Sequence, residues 1–147
     1  KYKLSKLTLA PPVGQKINKS KEEAEKIINN LRVLAVNCLD PLLAEYPKLR
    51  INMGYFESRP GTSSAHSLGE AVDIQVADAS KGEYFEIAKW IRENLPHDSI
   101  ILQYRTTGSG MPWIHLGCKE SGNRSDMITQ YNGKTTTELG QIAQYYA

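Results

Sequence analysis

The 147-residue chain has few of the residues that mark specialised small scaffolds, since it contains only two cysteines and three histidines. Two cysteines do not make a disulfide framework, and without a CxxC pair or a Cys-His cluster the sequence excludes a structural zinc finger. Its 18 basic and 16 acidic residues give a net charge of +2 with no basic stripe, so we expect no nucleic-acid partner. No apolar run approaches the roughly 20 residues of a membrane span, so we expect no membrane partner.

A long amphipathic helix is predicted after residues 1–19, which are polar and predict an N-terminal arm or strand followed by a loop. Ser20 and Glu23 have the spacing of a capping box, and apolar residues then recur at i, i+3 and i+4. Pro41 interrupts this pattern. The helix therefore either kinks there or is followed by a second short helix that Asp40 caps.

The remaining periodic segments are shorter. The predicted strands are Arg50–Phe56, Ala71–Val76, Ile100–Tyr104 and Trp113–Cys118. A second helix is predicted over Tyr84–Leu95, and Asn132-Gly133 predicts a hairpin between residues 128–131 and 134–137. Helices that alternate with short strands predict an α+β fold in one domain over residues 1–147, with a mainly antiparallel sheet and helices on one side.

Three side chains in these segments form a candidate metal site. His66 lies in the Ser/Gly/Pro-rich loop before the second strand, Asp73 in that strand and His115 in the fourth. Strand alternation places Asp73 and His115 opposite the aliphatic residues of their own strands, so both can point into one cleft if the strands are neighbours. Gly69 lets the loop fold back and bring His66 to the same place. Two imidazoles and one carboxylate suit a catalytic zinc ion, which keeps a fourth position for water.

Each of these residues also has an ordinary explanation. A single loop or strand histidine is most often a surface or hydrogen-bonded residue, and Asp73 alone suits a cap or a salt bridge. Taken together, however, Asp73 and His115 each lie on the face of their strand opposite the aliphatic residues. Metal binding is then as good an explanation as these ordinary ones. Cys38 and Cys118 fall on apolar faces, where a buried free thiol is the commoner state, although the two could pair.

The same segments carry a resemblance to a known family. Ser64-x-His66-x-x-Gly69-x-Ala71-x-Asp73 and Trp113-x-His115 resemble the signature of zinc D-Ala-D-Ala carboxypeptidases and related phage endolysin peptidases, which share a fold with the hedgehog signalling domain. Gly54-Tyr-Phe-Glu-Ser-Arg59 is similar to the family's Gly-Tyr-Arg-Ser segment with extra residues inserted, and Gly122-Asn-Arg124 also fits. The resemblance covers roughly residues 20–133 and implies a hedgehog/DD-peptidase-like fold.

This resemblance also implies roles for individual residues. His66, Asp73 and His115 would bind Zn²⁺, which lowers the pKa of bound water towards about 7. Three further residues are assigned to substrate binding. Arg59 would hold the terminal carboxylate of the peptide, Ser64 would orient the His66 loop or bind substrate, and Trp113 would line the cleft beside His115.

The general base is where the chain departs from the family. Some relatives carry a carboxylate three residues before the last histidine, where this chain has Pro112; others carry it at the end of the preceding strand, where this chain has Gln103. Gln103 can face the cleft by alternation, but an amide cannot take a proton from water. Either zinc activates water unaided, or Glu57, Glu70 or Asp78 reaches in from a loop. Loss of a general base costs about 10²–10⁴ in rate.

Two functions follow from these residues and the resemblance. The first is a zinc metallopeptidase that cleaves D-Ala-containing stem peptides of bacterial peptidoglycan. The endolysin resemblance suggests a bacteriophage lytic domain, carried on the virion with other phage tail proteins or acting in the periplasm or cell wall. The alternative is a zinc-binding structural or cell-wall-binding module of the same fold with weak or no hydrolysis, which Gln103 and Pro112 favour.

Overall fold

A computed structural model describes residues 16–104, 110–131 and 134–136 of the chain. The helices are α1 (Lys21–Leu34), α2 (Asp40–Glu45) and α3 (Lys81–Asn94), with a π-helical segment (Ala35–Leu39) between the first two and a 3₁₀ turn at His66–Leu68. The strands are β1 (Leu49–Met53), β2 (Ala71–Val76), β3 (Ser99–Tyr104), β4 (Trp113–Gly117), β5 (Asp126–Tyr131) and β6 (Lys134–Thr136). The protein is therefore α+β. Most of the predicted arm over residues 1–19 lies outside the described residues.

Helix α1 begins where the capping box predicts. The Ser20 side chain accepts a hydrogen bond from the backbone N–H of Glu23, and the Glu23 carboxylate accepts one from the backbone of Ser20. The helical backbone then continues without a break through the π-helical segment, where the N–H of Asp40 bonds to the carbonyl of Ala35. Pro41 lies in the first turn of α2, as one of the two alternatives predicts, but Asp40 is the first residue of that helix rather than its cap.

One helical run, Lys21–Glu45, is long and apolar enough by length and composition to cross a membrane. No unbroken apolar stretch of the sequence reaches this length. The run is long because three consecutive helical segments join end to end in the structure. A helix in a protein core passes the same test of length and composition. This run buries Leu31, Leu34, Leu39 and Leu42 completely, so core packing accounts for its apolar stripe.

Helix α3 starts earlier than its apolar pattern predicts. Ser80 and Glu83 form a second capping box, which sets the start at Lys81 rather than at Tyr84. Leu95 is already extended, with φ −119° and ψ 144°, as expected for a residue that precedes proline. The helix contacts β3 and β4 on the apolar face of the sheet.

The six described strands form one mixed sheet in the order β1-β2-β4-β3-β5-β6. Strand β5 runs parallel to β3, whereas the other pairings are antiparallel. The hairpin of β5 and β6 is confirmed, with Tyr131 opposite Lys134; the predicted turn at Asn132-Gly133 and residue 137 lie outside the described residues. Strand β1 ends at Met53 rather than Phe56, because the register shifts between Ile51 and Met53 and the chain then leaves the sheet.

The two faces of the sheet differ in chemistry. Buried aliphatic residues of the strands, such as Leu102 and Leu116, share one core with buried residues of α1 and α3, such as Leu31 and Ile91. Cys38 and Cys118 are free and buried in this core, as the sequence predicts for apolar positions. The opposite face carries the half-buried polar side chains, and the candidate site lies there.

Candidate metal centre

Strand register places Asp73 directly opposite His115. The two residues are partners in the antiparallel pairing of β2 with β4, and both alternate with buried neighbours. Both side chains therefore lie on the polar face, as the alternation predicts. These strands occupy the middle of the sheet, so the two groups are held by backbone pairing on both sides.

His66 reaches the same place from the 3₁₀ turn. Gly69 ends this turn in the left-handed conformation, with φ 74°, and its N–H donates to the carbonyl of His66. The N–H of Glu70 then bonds to the carbonyl of Ala65, which closes the loop onto the start of β2. The predicted return of the loop at Gly69 is therefore what positions His66.

Three donor atoms meet at one point. His66 Nε2 lies 3.2 Å from His115 Nδ1 and 3.3 Å from Asp73 Oδ1, and His115 Nδ1 lies 3.1 Å from the same oxygen. Four ligands at about 2.0 Å from a tetrahedral ion are separated by about 3.3 Å from one another. The three donors thus have the spacing of three corners of such a tetrahedron, and the fourth corner has no protein ligand from the described residues. This group can hold a metal ion.

The Asp73 carboxylate is ionised in this setting. Its side chain is 19% exposed, so burial by itself raises the pKa. Hydrogen bonds and charge from His115 and His66 outweigh that effect and hold the pKa of Asp73 below its ordinary value. The site therefore presents one negative charge and two imidazoles to a cation.

The orientation of His66 is fixed by two groups outside the three donors. His66 Nδ1 lies 2.9 Å from the backbone carbonyl of Gly54, which is an acceptor only, so Nδ1 carries a proton. In the neutral imidazole, Nε2 is then the nitrogen whose lone pair is available to a cation. The Phe56 ring stacks on the imidazole, with centroids 4.9 Å apart and an interplanar angle of 28°. Sequence reasoning placed Gly54 and Phe56 in a family-like segment but gave them no role, because only the folded chain brings them to His66.

Two expected site residues lie on the same face, farther along the strands. Gln103 is opposite Trp113 in the β3–β4 register, two residues beyond the Ile101–His115 pair. The Gln103 amide Nε2 donates to Gln130 Oε1 at 2.8 Å, a contact with β5 that no sequence pattern indicated. Gln103 thus faces the polar side of the sheet, as the alternation predicts.

Ser64 is placed to orient the His66 loop. Its backbone N–H donates to Ser67 Oγ at 2.9 Å, and its own Oγ accepts from the N–H of Ser67 at 3.2 Å. These reciprocal bonds enclose His66, which lies between the two serines. Both roles that the resemblance implies for Ser64, loop orientation and substrate binding, stay predictions.

Arg59 lies in the loop between β1 and the 3₁₀ turn. It is exposed and lines a separate cavity of about 460 Å³ between α1 and the loop, together with Lys26, Glu57 and Glu70. None of the three donor residues lines this cavity. The binding of a peptide carboxylate by Arg59 stays a prediction.

The carboxylates proposed as substitutes for a base also lie elsewhere. Glu57 and Glu70 line the same cavity as Arg59, and Asp78 is paired with Lys48 at 2.6 Å beyond the end of β2. Pro112 is buried, and its carbonyl accepts a hydrogen bond from Gln75. Among the described residues, the donor cluster contains one carboxylate, that of Asp73.

The third histidine belongs to the scaffold. His97 is buried between α3 and β3, and its Nδ1 contacts the carbonyl of Leu95 at 2.9 Å. Two of the three histidines thus form the cluster and one does not, as the sequence segments suggest.

No family model, curated protein or solved structure matches this chain. Function is therefore inferred from the residues and their geometry. The site offers three donors, an open fourth position and a polar face around them.

Proposed function

We propose that the protein is a zinc-dependent peptidase that cleaves D-Ala-containing peptides of bacterial peptidoglycan, with the hedgehog/DD-peptidase-like fold. The observation that carries the proposal is the spacing of His66 Nε2, His115 Nδ1 and Asp73 Oδ1, each 3.1–3.3 Å from the other two. The sequence resemblance of the segments that hold these residues supplies the substrate class. A bacteriophage lytic domain, acting at the cell wall beside other tail proteins, is the setting that the endolysin resemblance suggests.

Zinc is the metal that the donor set favours. Two imidazole nitrogens and one carboxylate oxygen, with one position open, are typical of catalytic zinc sites, whereas magnesium and calcium prefer oxygen ligands. When bound, zinc supplies Lewis-acid activation of water and of the scissile carbonyl. The hydrogen bond behind His66 suits zinc binding, because the Gly54 carbonyl holds the Nδ1 proton of His66 and so keeps Nε2 available.

The residues around the cluster would bind the peptide. Trp113 and Gln103 lie on the face that the two metal-binding strands share, and the Gln103–Gln130 pair offers amide groups for hydrogen bonds to a peptide backbone. Arg59 is the residue that the resemblance assigns to the terminal carboxylate of the peptide, which a guanidinium can bind through two hydrogen bonds. A peptide bound on the polar face would cross the middle of the sheet beside Asp73 and His115.

The second candidate function is a metal-binding module with weak or no hydrolysis. The specific observation in its favour is the Gln103 amide, which donates to Gln130. The family that the sequence resembles carries a carboxylate at this position. An amide cannot accept the proton that water loses, so the chemical step would lack general-base catalysis, a loss of about 10²–10⁴ in rate.

One experiment separates these functions. The purified chain is assayed for bound zinc and is incubated with wall peptides ending in D-Ala-D-Ala and with crosslinked stem peptides, with and without a chelator. Stoichiometric zinc with chelator-sensitive cleavage supports the peptidase. Stoichiometric zinc without cleavage supports the binding module. If neither the wild type nor its His115→Ala variant binds zinc, the two proposed functions are contradicted.

Substitution of Gln103 tests the position of the missing base. We expect Gln103→Glu to raise the cleavage rate, because it places a carboxylate on the metal-bearing face. Gln130→Glu is the matched control, since it adds the same charge on the same face one strand farther from Asp73 and His115, and it should give no gain. A folded, zinc-loaded Gln103→Glu variant that cleaves no faster than the wild type contradicts the assignment of Gln103 to the base position.

A further inference from the structure

The segment that follows β1 contacts His66 twice. The carbonyl of Gly54 accepts from His66 Nδ1 at the edge of the imidazole, and the ring of Phe56, two residues later, lies against its face. On another side the ring of His115 meets His66 edge-on, with centroids 4.9 Å apart and an interplanar angle of 70°. As a result His66 is only 6% exposed, although it belongs to a surface loop.

The two contacts restrict different motions of the imidazole. The carbonyl determines which nitrogen carries the proton and in which direction Nδ1 points. The stacked ring limits rotation of the imidazole out of its plane, which a single hydrogen bond does not prevent. Together they leave Nε2 pointing at His115 Nδ1 and Asp73 Oδ1.

The stacked ring also has an electrostatic effect. An imidazole that ligates a cation gains positive charge, and the face of an aromatic ring attracts positive charge. Phe56 therefore stabilises His66 more strongly in the metal-bound state than in the metal-free state. An aliphatic side chain of similar volume would fill the space without this contribution.

We propose that Phe56 is a positioning residue of the metal centre, which holds the His66 imidazole in its ligating orientation and strengthens the binding of the cation. This inference rests on the proposed metal site and extends it to a residue that binds neither metal nor substrate. Loss of a hydrogen-bond partner of a ligating histidine typically changes metal affinity about 10- to 100-fold, and we expect the stacked ring to contribute at the lower end of that range.

The chain offers a matched control, because it contains only two phenylalanines. Phe85 lies on α3 and is half-buried against the core. Lys89 Nζ lies over its ring, 5.4 Å from the ring centroid. Phe85→Leu thus makes the same chemical change at a similar degree of burial, away from the donor cluster. Phe56→Tyr is the rescue variant, since it keeps the aromatic face.

The test measures affinity for Zn²⁺ and Co²⁺ by competition with a chromophoric chelator. We expect Phe56→Leu to bind about 10-fold or more weakly, with an altered visible spectrum of bound Co²⁺. Phe85→Leu and Phe56→Tyr should keep the wild-type affinity and spectrum. A Phe56→Leu variant with wild-type affinity, or an equal loss in Phe85→Leu, overturns the proposal.

A metal-free readout separates this proposal from the proposed function. In the wild type we expect the Nδ1 proton of His66 to exchange slowly with water in proton NMR spectra, because it is buried and bonded to Gly54. Phe56→Leu should accelerate that exchange at least 10-fold while Phe85→Leu leaves it unchanged. If the wild type binds no metal, the proposed function fails, whereas an unchanged exchange rate in Phe56→Leu contradicts the positioning role itself.

Discussion

Gly69 shows how one residue sets the position of His66. Its φ of +74° lies in the left-handed region, where an L-residue other than glycine costs about 1–2 kcal/mol. A Cβ at this position would lie 2.6 Å from the backbone oxygen of Ile27 and 3.1 Å from the Leu31 side chain. The turn therefore packs against α1 at a distance that only glycine allows.

We expect Gly69→Ala to destabilise the protein by about 2–5 kcal/mol, as the backbone cost adds to about 1–3 kcal/mol for the clash with α1. Urea unfolding followed by circular dichroism measures the change. Gly61→Ala is the control, because Gly61 has a φ of +78° and no atom within 4 Å of an added Cβ. It should show the backbone cost alone, and equal losses in the two variants would contradict the close packing on α1.

Among the elements, the parallel strand β5 depends on a junction around Asp98. The Asp98 side chain is 6% exposed and accepts hydrogen bonds from the backbone N–H and the guanidinium of Arg124. The backbone of Asp98 also bonds to Gly117 at the end of β4 and to Asp126 at the start of β5. One residue thus ties the start of β3 to both of its neighbouring strands.

The pH dependence of stability should report this junction. Hydrogen bonds from Arg124 hold the pKa of Asp98 below its ordinary value, against the raising effect of burial. A depressed folded-state pKa stabilises the fold at pH values above the unfolded pKa of about 4, and this contribution is lost as the pH falls through the folded-state pKa. Asp98→Asn should therefore cost about 1.5–3 kcal/mol at pH 7 and progressively less below pH about 4.

Urea unfolding at several pH values measures this difference. The matched control is Asp78→Asn, because Asp78 pairs with Lys48 at 2.6 Å but both side chains are largely exposed. Exposed pairs contribute little, so this variant should stay close to the wild type at every pH. A loss in Asp98→Asn that stays constant down to pH 2 would show that the carboxylate charge is not what holds the junction.

Elements with a local signal in the sequence were predictable. The cap at Ser20, the stop at Pro96 and the alternation in β2 and β4 each depend on neighbours in the chain, and the structure follows them. The parallel pairing of β5 with β3 and the early end of β1 depend on distant contacts, for which a single sequence has no pattern.

The same division applies to the candidate site. Alternation alone placed Asp73 and His115 on one face, and Gly69 allowed the return of His66. The contacts of His66 with Gly54 and Phe56, and of Gln103 with Gln130, join residues that are 10 to 27 positions apart or lie on different elements, so no spacing rule reports them.

At the scale of the molecule, the two faces of the sheet divide stability from chemistry. The aliphatic face is buried in the shared core, whereas the side chains of Asp73 and His115 are 19% and 15% exposed on the other face. Removal of the Asp73 or His115 side chain therefore leaves the core contacts in place. Variants of the cluster should stay folded, which allows metal binding to be measured separately from folding.

Metal binding should itself stabilise the whole chain, because the three donors meet only in the folded state. A ligand that binds only the folded state at 100 times its Kd adds about 2.7 kcal/mol to the free energy of unfolding. For a chain of this length that corresponds to a rise in Tm of about 5–10 °C. We expect this rise when zinc is added to the metal-free protein, and its reversal when a chelator is added.

His115→Ala provides the control, since it removes one of the three donors from the open face and leaves the core intact. Its Tm without metal should lie near that of the wild type, and zinc should raise it little. An equal rise in His115→Ala would show that zinc binds elsewhere, and an unmoved wild-type Tm would show that the cluster does not bind zinc. Because the stabilisation is tied to all three donors at once, scanning calorimetry on the two proteins tests the geometry of the centre independently of any peptide substrate.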